Sequence, residues 1–214
     1  MPSADTAPAL PVPKTKRGEQ TRQKILDAAE IGEARADLLL GRDLGFEDGV
    51  DAGQEAIEVR LRGTFYVFFR TKEDVMRELV LRMGRRLRHH LTVATSGIDS
   101  RLEVERRGIH AFFEFVRDNP NLYRVVMGMQ FVDEATYRRY YEDFAASYRA
   151  ALEAAVERGE LAPGDAEVRA WALMGVCDMV GRRFALWDRS GALDRAAEEA
   201  FALIAQGLEP RAAP

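Results

Sequence analysis

Apolar residues recur at every third or fourth position through most of the chain, which is the spacing of one face of an α-helix. The pattern predicts helices over residues 21–30, 72–95, 102–116, 122–129, 133–159, 165–187 and 193–208. Thr21 and Asp165 stand where side-chain caps for two of these helices belong. Since no pair of strands is apparent, the sequence predicts an all-α fold.

Length and composition narrow the class of protein. A chain of 214 residues suits one large domain or two small ones. No apolar run approaches the roughly 20 residues that span a bilayer, and the first residues lack the apolar core of a signal peptide. Cys177 is the single cysteine, which excludes an internal disulfide and fits a reducing compartment. These features predict a cytoplasmic protein without a membrane partner.

Charge is unevenly distributed along the chain. The net charge is −4, which by itself gives no support to nucleic-acid binding. Basic residues nevertheless cluster at 14–24 and again at 70–88, and between them residues 31–62 hold eight Asp or Glu against four Arg. The basic clusters would attract phosphates, whereas the acidic segment would repel them unless its carboxylates face away.

The heptapeptide GTFYVFF, residues 63–69, is rich in aromatic and β-branched side chains and by composition favours a strand. Its flanks change that interpretation. KTKRGEQTRQKILDAA before it and RTKEDVMRELV after it together resemble the amino-terminal DNA-binding head of TetR-type repressors. In that family the segment equivalent to GTFYVFF is the recognition helix of a helix-turn-helix, with its aromatic rings packed inward.

The resemblance extends into the carboxyl half, through FFEFVRDNPNLYRVVM and GDAEVRAWALMGVCDMVGRRFALWD. It implies a three-helix head over 15–71 and a helical-bundle domain over 72–210 for effector binding and dimerisation, while the prolines and alanines of residues 1–14 indicate a disordered tail.

The resemblance also implies which residues meet DNA. Thr64 and Tyr66 would face the groove and its phosphates, and Thr21 and Lys72 would each hold a backbone phosphate. Arg62 would reach a guanine edge. Arg17 belongs to the basic stretch 14–24, which is either an arm that contacts phosphate or a solvated helix start.

Aromatic and thioether side chains are abundant between residues 112 and 178. Any one of them is explained by core packing, but their excess is also typical of an apolar pocket with a few polar groups. Asp178 would either pair with Arg182 one turn later or anchor a ligand. The predicted effector pocket comprises Phe112, Phe115, Met127, Met129, Phe131, Tyr141, Tyr148, Trp171, Met174 and Asp178.

The last two helices have apolar faces broader than one chain needs, which favours a four-helix interface with a second copy over a monomeric bundle. The predicted interface residues are Phe184, Leu186, Trp187, Phe201, Leu203 and Ile204.

Catalysis is not expected. His89, His90 and His110 lack metal-ligand spacing, and no phosphate-binding glycine loop or nucleophile motif occurs. The sequence predicts neither a metal nor a cofactor. It points to a homodimeric, ligand-responsive repressor that binds double-stranded DNA and an apolar or aromatic small molecule. The alternative is a dimeric, helical protein that binds a small molecule and whose DNA-binding head is impaired or non-functional.

Overall fold

The fold is seen in a computed structural model, which describes residues 13, 15–31, 67–188 and 191–209. These ranges contain helices and no strand, so the all-α prediction is confirmed for them. None of the helices within these ranges is long and apolar enough to cross a bilayer. The helices are α1 (Lys16–Ile31), α2 (Lys72–Ala94), α3 (Arg101–Asp118), α4 (Pro120–Met129), α5 (Glu134–Glu157), α6 (Ala166–Gly181) and α7 (Leu193–Leu208).

The chain divides into two compact units, Met1–Leu79 and Val80–Pro214. The division falls within α2, about two turns after the boundary at 71 that the sequence predicts. The second helix of the predicted head and residues 63–66 of the GTFYVFF segment lie outside the described residues.

The first helix begins earlier than the sequence predicts. The Thr15 hydroxyl accepts a hydrogen bond from the Gly18 amide at 3.1 Å, so Thr15 supplies the acceptor at the start of α1. Thr21 lies inside the helix, where its hydroxyl donates to the Arg17 carbonyl at 2.9 Å. The expectation that Thr21 caps this helix is therefore wrong.

The end of the GTFYVFF segment is helical, as the resemblance implies, and is not a strand. Val67 and Phe68 have helical backbone, and Phe68 and Phe69 are buried while Val67 is 62% exposed. The Arg22 guanidinium lies 5.2 Å from the centre of the Phe69 ring and 3.0 Å from the Glu78 carboxylate. The two described rings therefore pack inward among α1 and α2.

The start of α2 is held by a reciprocal cap. The Thr71 hydroxyl accepts from the Asp74 amide at 3.2 Å, and the Asp74 carboxylate accepts from the Thr71 amide at 3.1 Å. This is the capping-box arrangement, with aspartate in the place of glutamate. It places Lys72 in the first turn of the helix.

In the second unit, α3 packs mainly against α7, and α5 against α6. Phe113 is fully buried at the centre of this bundle. Ser100, Asp133 and Asp165 cap α3, α5 and α6 by accepting from backbone amides. The prediction that Asp165 caps α6 is therefore confirmed.

The segment that follows α6 is π-helical. Arg182–Trp187 forms a six-residue π-helix, in which the Asp188 amide donates to the Arg183 carbonyl five residues earlier at 3.0 Å. The sequence predicts a helix that runs to Trp187, and the helical segment does reach Trp187, with π geometry from Arg182 onwards.

Candidate functional site

A cavity of about 190 Å³ lies within the second unit. For comparison, an apolar cavity of about 150 Å³ is large enough to hold benzene. The walls come from the end of α2 and from α3, α4, α5 and α6. The lining residues are Leu87, Leu91, Thr95, Arg101, Val104, Glu105, Gly108, Ile109, Phe112, Tyr123, Tyr140, Tyr141, Phe144, Tyr148, Met174, Cys177 and Asp178.

Glu105 is the more deeply buried of the two carboxylates in the lining, with 4% of its surface exposed. One of its oxygens pairs with the Arg101 guanidinium, and the other accepts from the Tyr148 hydroxyl. The same guanidinium lies 5.5 Å from the centre of the Tyr148 ring. Burial, followed by the charge of Glu105, raises the pKa of Tyr148 well above its usual value, so this phenol stays protonated and donates.

Asp178 is the second carboxylate, and it forms the predicted pair with Arg182. Its Oδ2 accepts from the Arg182 guanidinium at 2.5 Å, and its Oδ1 accepts from the Tyr123 hydroxyl. It also forms part of the cavity wall. Burial raises the pKa of Asp178, and the nearby charge of Arg182 opposes that shift. A second positive charge beside this carboxylate would stabilise its ionised form.

Aromatic rings form much of the remaining wall. Phe112 and Tyr123 meet edge to face with ring centres 6.3 Å apart, and Tyr140 and Tyr141 do so at 5.1 Å. Burial raises the pKa of both Tyr140 and Tyr141. The cavity therefore presents flat apolar surfaces interrupted by neutral hydroxyl groups and two carboxylates.

Gly108 lines the cavity on α3 and has no side chain to occupy it. A Cβ atom built on this residue would meet nothing within 4 Å. A side chain at this position would therefore enter the cavity without displacing its neighbours, and Gly108 sets part of the available volume.

Cys177 lines the cavity beside Asp178. Burial raises the pKa of its thiol to about 12, with a smaller contribution from the charge of Glu105. Because the thiolate is the reactive species, this thiol is inert near neutral pH.

We expect alkylation of Cys177 at pH 8 to be at least about a hundredfold slower in the folded protein than in urea. Mass spectrometry after iodoacetamide treatment measures both rates. Since the folded pKa is raised, the thiol contributes stability that is present below its usual pKa near 9 and is lost as pH rises towards about 12. Equal alkylation rates in the two states would contradict this burial.

Five of the ten residues predicted for the effector pocket line the cavity: Phe112, Tyr141, Tyr148, Met174 and Asp178. The other five are absent from the lining. Phe115 and Met129 are buried in the core, Met127 is half-buried, Trp171 is 42% exposed, and Phe131 is 84% exposed. A count of aromatic and sulfur-containing residues did not reveal which helix face each one occupies.

Sequence reasoning missed several lining residues, of which Glu105 and Tyr123 matter most. Glu105 precedes Ile109 by four residues and Phe112 by seven, so it stands on the apolar stripe of α3. A charged residue in such a stripe is the signal that would have identified it, because buried charges are rare unless they are paired.

The described surface of α6 carries an exposed apolar stripe. Val168, Trp171 and Met179 are exposed, at spacings of three and eight residues, and Gly175 lies between the last two. A Cβ atom on Gly175 would meet nothing within 4 Å, so no described part of this chain covers that position. Met174 and Cys177 of the same helix line the cavity, so α6 has apolar side chains both at the cavity and on its exposed surface.

The residues predicted for the dimer interface differ in exposure. Trp187 and Leu203 are both 65% exposed, and Phe184 and Phe201 are half-buried. Leu186 and Ile204 are buried against their own chain, so little of their surface is left for a second protomer.

Of the residues predicted to contact DNA, three lie in the described part of the chain. Arg17 is exposed, and Thr21 and Lys72 are half-buried. Arg62, Thr64 and Tyr66 lie outside the described residues, as does the acidic segment 32–62.

The histidines with described contacts take part in hydrogen bonding between helices. His90 Nε2 lies 3.1 Å from the Ala111 carbonyl, and His110 Nε2 lies 2.7 Å from Glu198, which also pairs with Arg106. Hydrogen bonds from Arg106 and His110 lower the pKa of Glu198. Among the described residues, no group of three or more His, Cys, Asp or Glu is arranged to hold a metal ion.

Comparison with known proteins gives a match at the level of structure. No protein-family model matches the chain, and no curated protein matches it. A Rhodococcus sp. RHA1 protein of unknown function superimposes with a TM-score of 0.67 at 19% identity, over 89% of this chain and 96% of that one.

Two further matches are transcriptional regulators. A TetR-like regulator from Rhodococcus sp. RHA1 matches with a TM-score of 0.59 at 23% identity, covering 92% of this chain and 98% of that one. The TetR-family regulator PfmR from Thermus thermophilus gives 0.60 at 19% identity, over 87% and 98% of the two chains. The chain therefore has the fold of the TetR-family transcriptional regulators across most of its length.

Proposed function

We propose that this protein is a ligand-responsive transcriptional repressor that binds DNA as a homodimer. The observation that carries the proposal is a largely apolar cavity within a chain that matches TetR-family regulators over about nine tenths of its length. Such a cavity, with a few polar groups among aromatic walls, is the usual form of a small-molecule site.

Dimerisation is supported by the exposed face of α6. Val168, Trp171 and Met179 form a stripe with Gly175 at its centre, where a second helix would approach closely. Leu203 on α7 adds another exposed apolar side chain. We propose that α6 and α7 of two protomers form a four-helix interface related by a two-fold axis.

We assign the contact with DNA to the first unit, Met1–Leu79. Lys72 in the first turn of α2, Arg17 near the start of α1, and Thr21 within α1 would bind backbone phosphates. Arg62, Thr64 and Tyr66 are proposed as the residues that face the groove. Two heads would occupy half-sites about one helical turn of DNA apart.

Ligand response would follow because α6 both lines the cavity and carries the proposed interface. A ligand that binds more tightly to one arrangement of the dimer shifts the population towards it, by no more than its difference in affinity. Repression would be relieved if that arrangement separates the heads beyond the half-site spacing.

The proposal is tested by a mobility-shift assay with the promoter beside the protein's own coding region. We expect binding at about 50 mM salt and a loss of roughly a hundredfold or more in affinity at about 200 mM, because phosphate contacts release counterions. Lys72→Ala would reduce the slope of log affinity against log salt concentration by about one. Arg138→Ala, which removes an exposed cation from α5, is the matched control and should leave binding unchanged.

The assay also addresses the second candidate, a ligand-binding dimer that does not act on DNA. The acidic composition of residues 31–62 favours it, since carboxylates repel phosphates. A folded dimer that binds no DNA at either salt concentration would exclude repression and leave the ligand-binding function.

A further inference from the structure

The charges that line the cavity do not balance. Arg101 and Glu105 form a pair within the lining and cancel. Asp178 also lines the cavity, but its partner Arg182 does not. The lining itself therefore carries one carboxylate more than it has cations. Of the Asp178–Arg182 pair, a ligand bound in this space therefore meets the carboxylate and not the guanidinium, in surroundings of low dielectric constant where charge interactions are strong.

Asp178 keeps unused acceptor capacity. An ionised carboxylate offers roughly four lone-pair sites. From the described residues, Asp178 accepts one hydrogen bond from Tyr123 on Oδ1 and one from Arg182 on Oδ2. A cationic donor would add to these bonds without breaking either of them. It would also favour the ionised state that burial opposes at this residue.

Rings stand next to this carboxylate. Tyr123 touches Asp178 through its hydroxyl, and Phe112 packs edge to face against the Tyr123 ring. Aromatic faces attract cations that lie within about 6 Å of the ring centre. The same surfaces would pack against the apolar body of a ligand.

An anion is disfavoured by the same lining. Within the described residues the Arg101 Nε and the Arg182 Nε are buried without a hydrogen-bond partner, and of these two only Arg101 lines the cavity, so Arg101 is the site that an anion in the cavity would use. However, its guanidinium is already paired with Glu105, and an anion that reached it would approach that buried carboxylate. Like charges in a desolvated site repel strongly.

We propose that the cavity binds a small aromatic cation, an amine on a body of about one ring, with Asp178 as its counter-ion. The inference rests on the proposed function, because it names the ligand class of the same cavity. The volume of about 190 Å³ is somewhat more than benzene needs and so leaves space for a short aminoalkyl chain.

The test uses the full chain and three probes that share a phenylalkyl body: 2-phenylethylamine, 2-phenylethanol and 3-phenylpropanoate. At pH 7 the first is a cation, the second is neutral and the third is an anion. Isothermal titration calorimetry gives the three affinities. We expect the amine to bind at least tenfold more tightly than the alcohol, and the acid to bind most weakly. Equal affinities, or tighter binding of the acid, would overturn the proposal.

Variants then test whether Asp178 is the residue that causes the preference for the amine. Asp178→Asn should weaken the amine at least tenfold while the alcohol keeps its affinity, a difference that misfolding would not produce. Asp143→Asn removes an exposed carboxylate on α5 and should change neither. Gly108→Val, which directs a side chain into the cavity, should weaken both probes. Unchanged amine binding in Asp178→Asn would overturn the assignment.

These outcomes separate the ligand class from the proposed function. A chain that binds DNA but does not prefer the amine remains a repressor and loses the cation proposal. A chain that prefers the amine through Asp178 but never binds DNA keeps the cation proposal and is not a repressor.

Discussion

Replacing Glu105 with alanine is expected to lower the free energy of unfolding by about 3–5 kcal/mol, as is usual when one member of a buried ion pair is removed. The Arg101 side chain is 12% exposed, and its partner carboxylate is buried. Without Glu105, the guanidinium and the Tyr148 hydroxyl both lose their acceptor in a site with little access to water. Urea unfolding followed by circular dichroism measures the loss.

Two companion variants test the cause of that loss. Glu114→Ala removes an exposed carboxylate from the same helix and should change stability by no more than about 0.5 kcal/mol. The double variant Arg101→Met with Glu105→Leu removes both charges and should recover most of the loss, because apolar groups of similar size replace the pair. A Glu105→Ala variant as stable as the original chain would show that this pair is hydrated.

Replacing Gly175 with arginine is expected to convert a dimer into a monomer. Gly175 lies at the centre of the exposed stripe on α6, and its missing Cβ would meet nothing in the described part of this chain. The substitution therefore leaves the protomer intact and improves the helix propensity of α6. It would place a long cation where two apolar helices are proposed to meet, at the cost of desolvating a charge.

Sedimentation equilibrium measures the mass of each form. The unaltered chain should have twice its 24.1-kDa mass, and Gly175→Arg should have the mass of one chain. Ala146→Arg places the same side chain on the exposed surface of α5 and should remain dimeric. A dimeric Gly175→Arg protein would move the interface away from α6, and a monomeric unaltered chain would exclude dimerisation.

Local signals in the sequence predicted much of the fold. Asp165 caps α6 where the side-chain pattern places it, and α7 runs from Leu193 to Leu208 as its apolar spacing indicates. Each of these features depends on chemistry within a few residues. The start of α1 was missed because Thr15, six residues before Thr21, supplies the first acceptor.

The cavity was harder to predict because its location depends on how helices pack. Trp171 and Met174 lie on a helix that is apolar on both sides, so periodicity could not distinguish the cavity face from the outer face. Phe131 was expected in the pocket for its ring, but it lies in the turn after α4 and is exposed. Glu105 carried a usable signal, since its charge interrupts the apolar stripe of α3.

The π-helical segment has a geometric consequence for the connection between the cavity and the surface. Residues 182–187 hold one residue more than an α-helix would need over the same path, as π-bulges do. Tightening this segment to α geometry would rotate the chain beyond it by about 100° and advance it by about 1.5 Å, the increments of a single residue. Arg182, whose guanidinium pairs with the Asp178 carboxylate, is the first residue of the segment, and Trp187, whose indole is exposed, is the last. A single-residue slip of this backbone would therefore reorient that indole with no other helix having to change length.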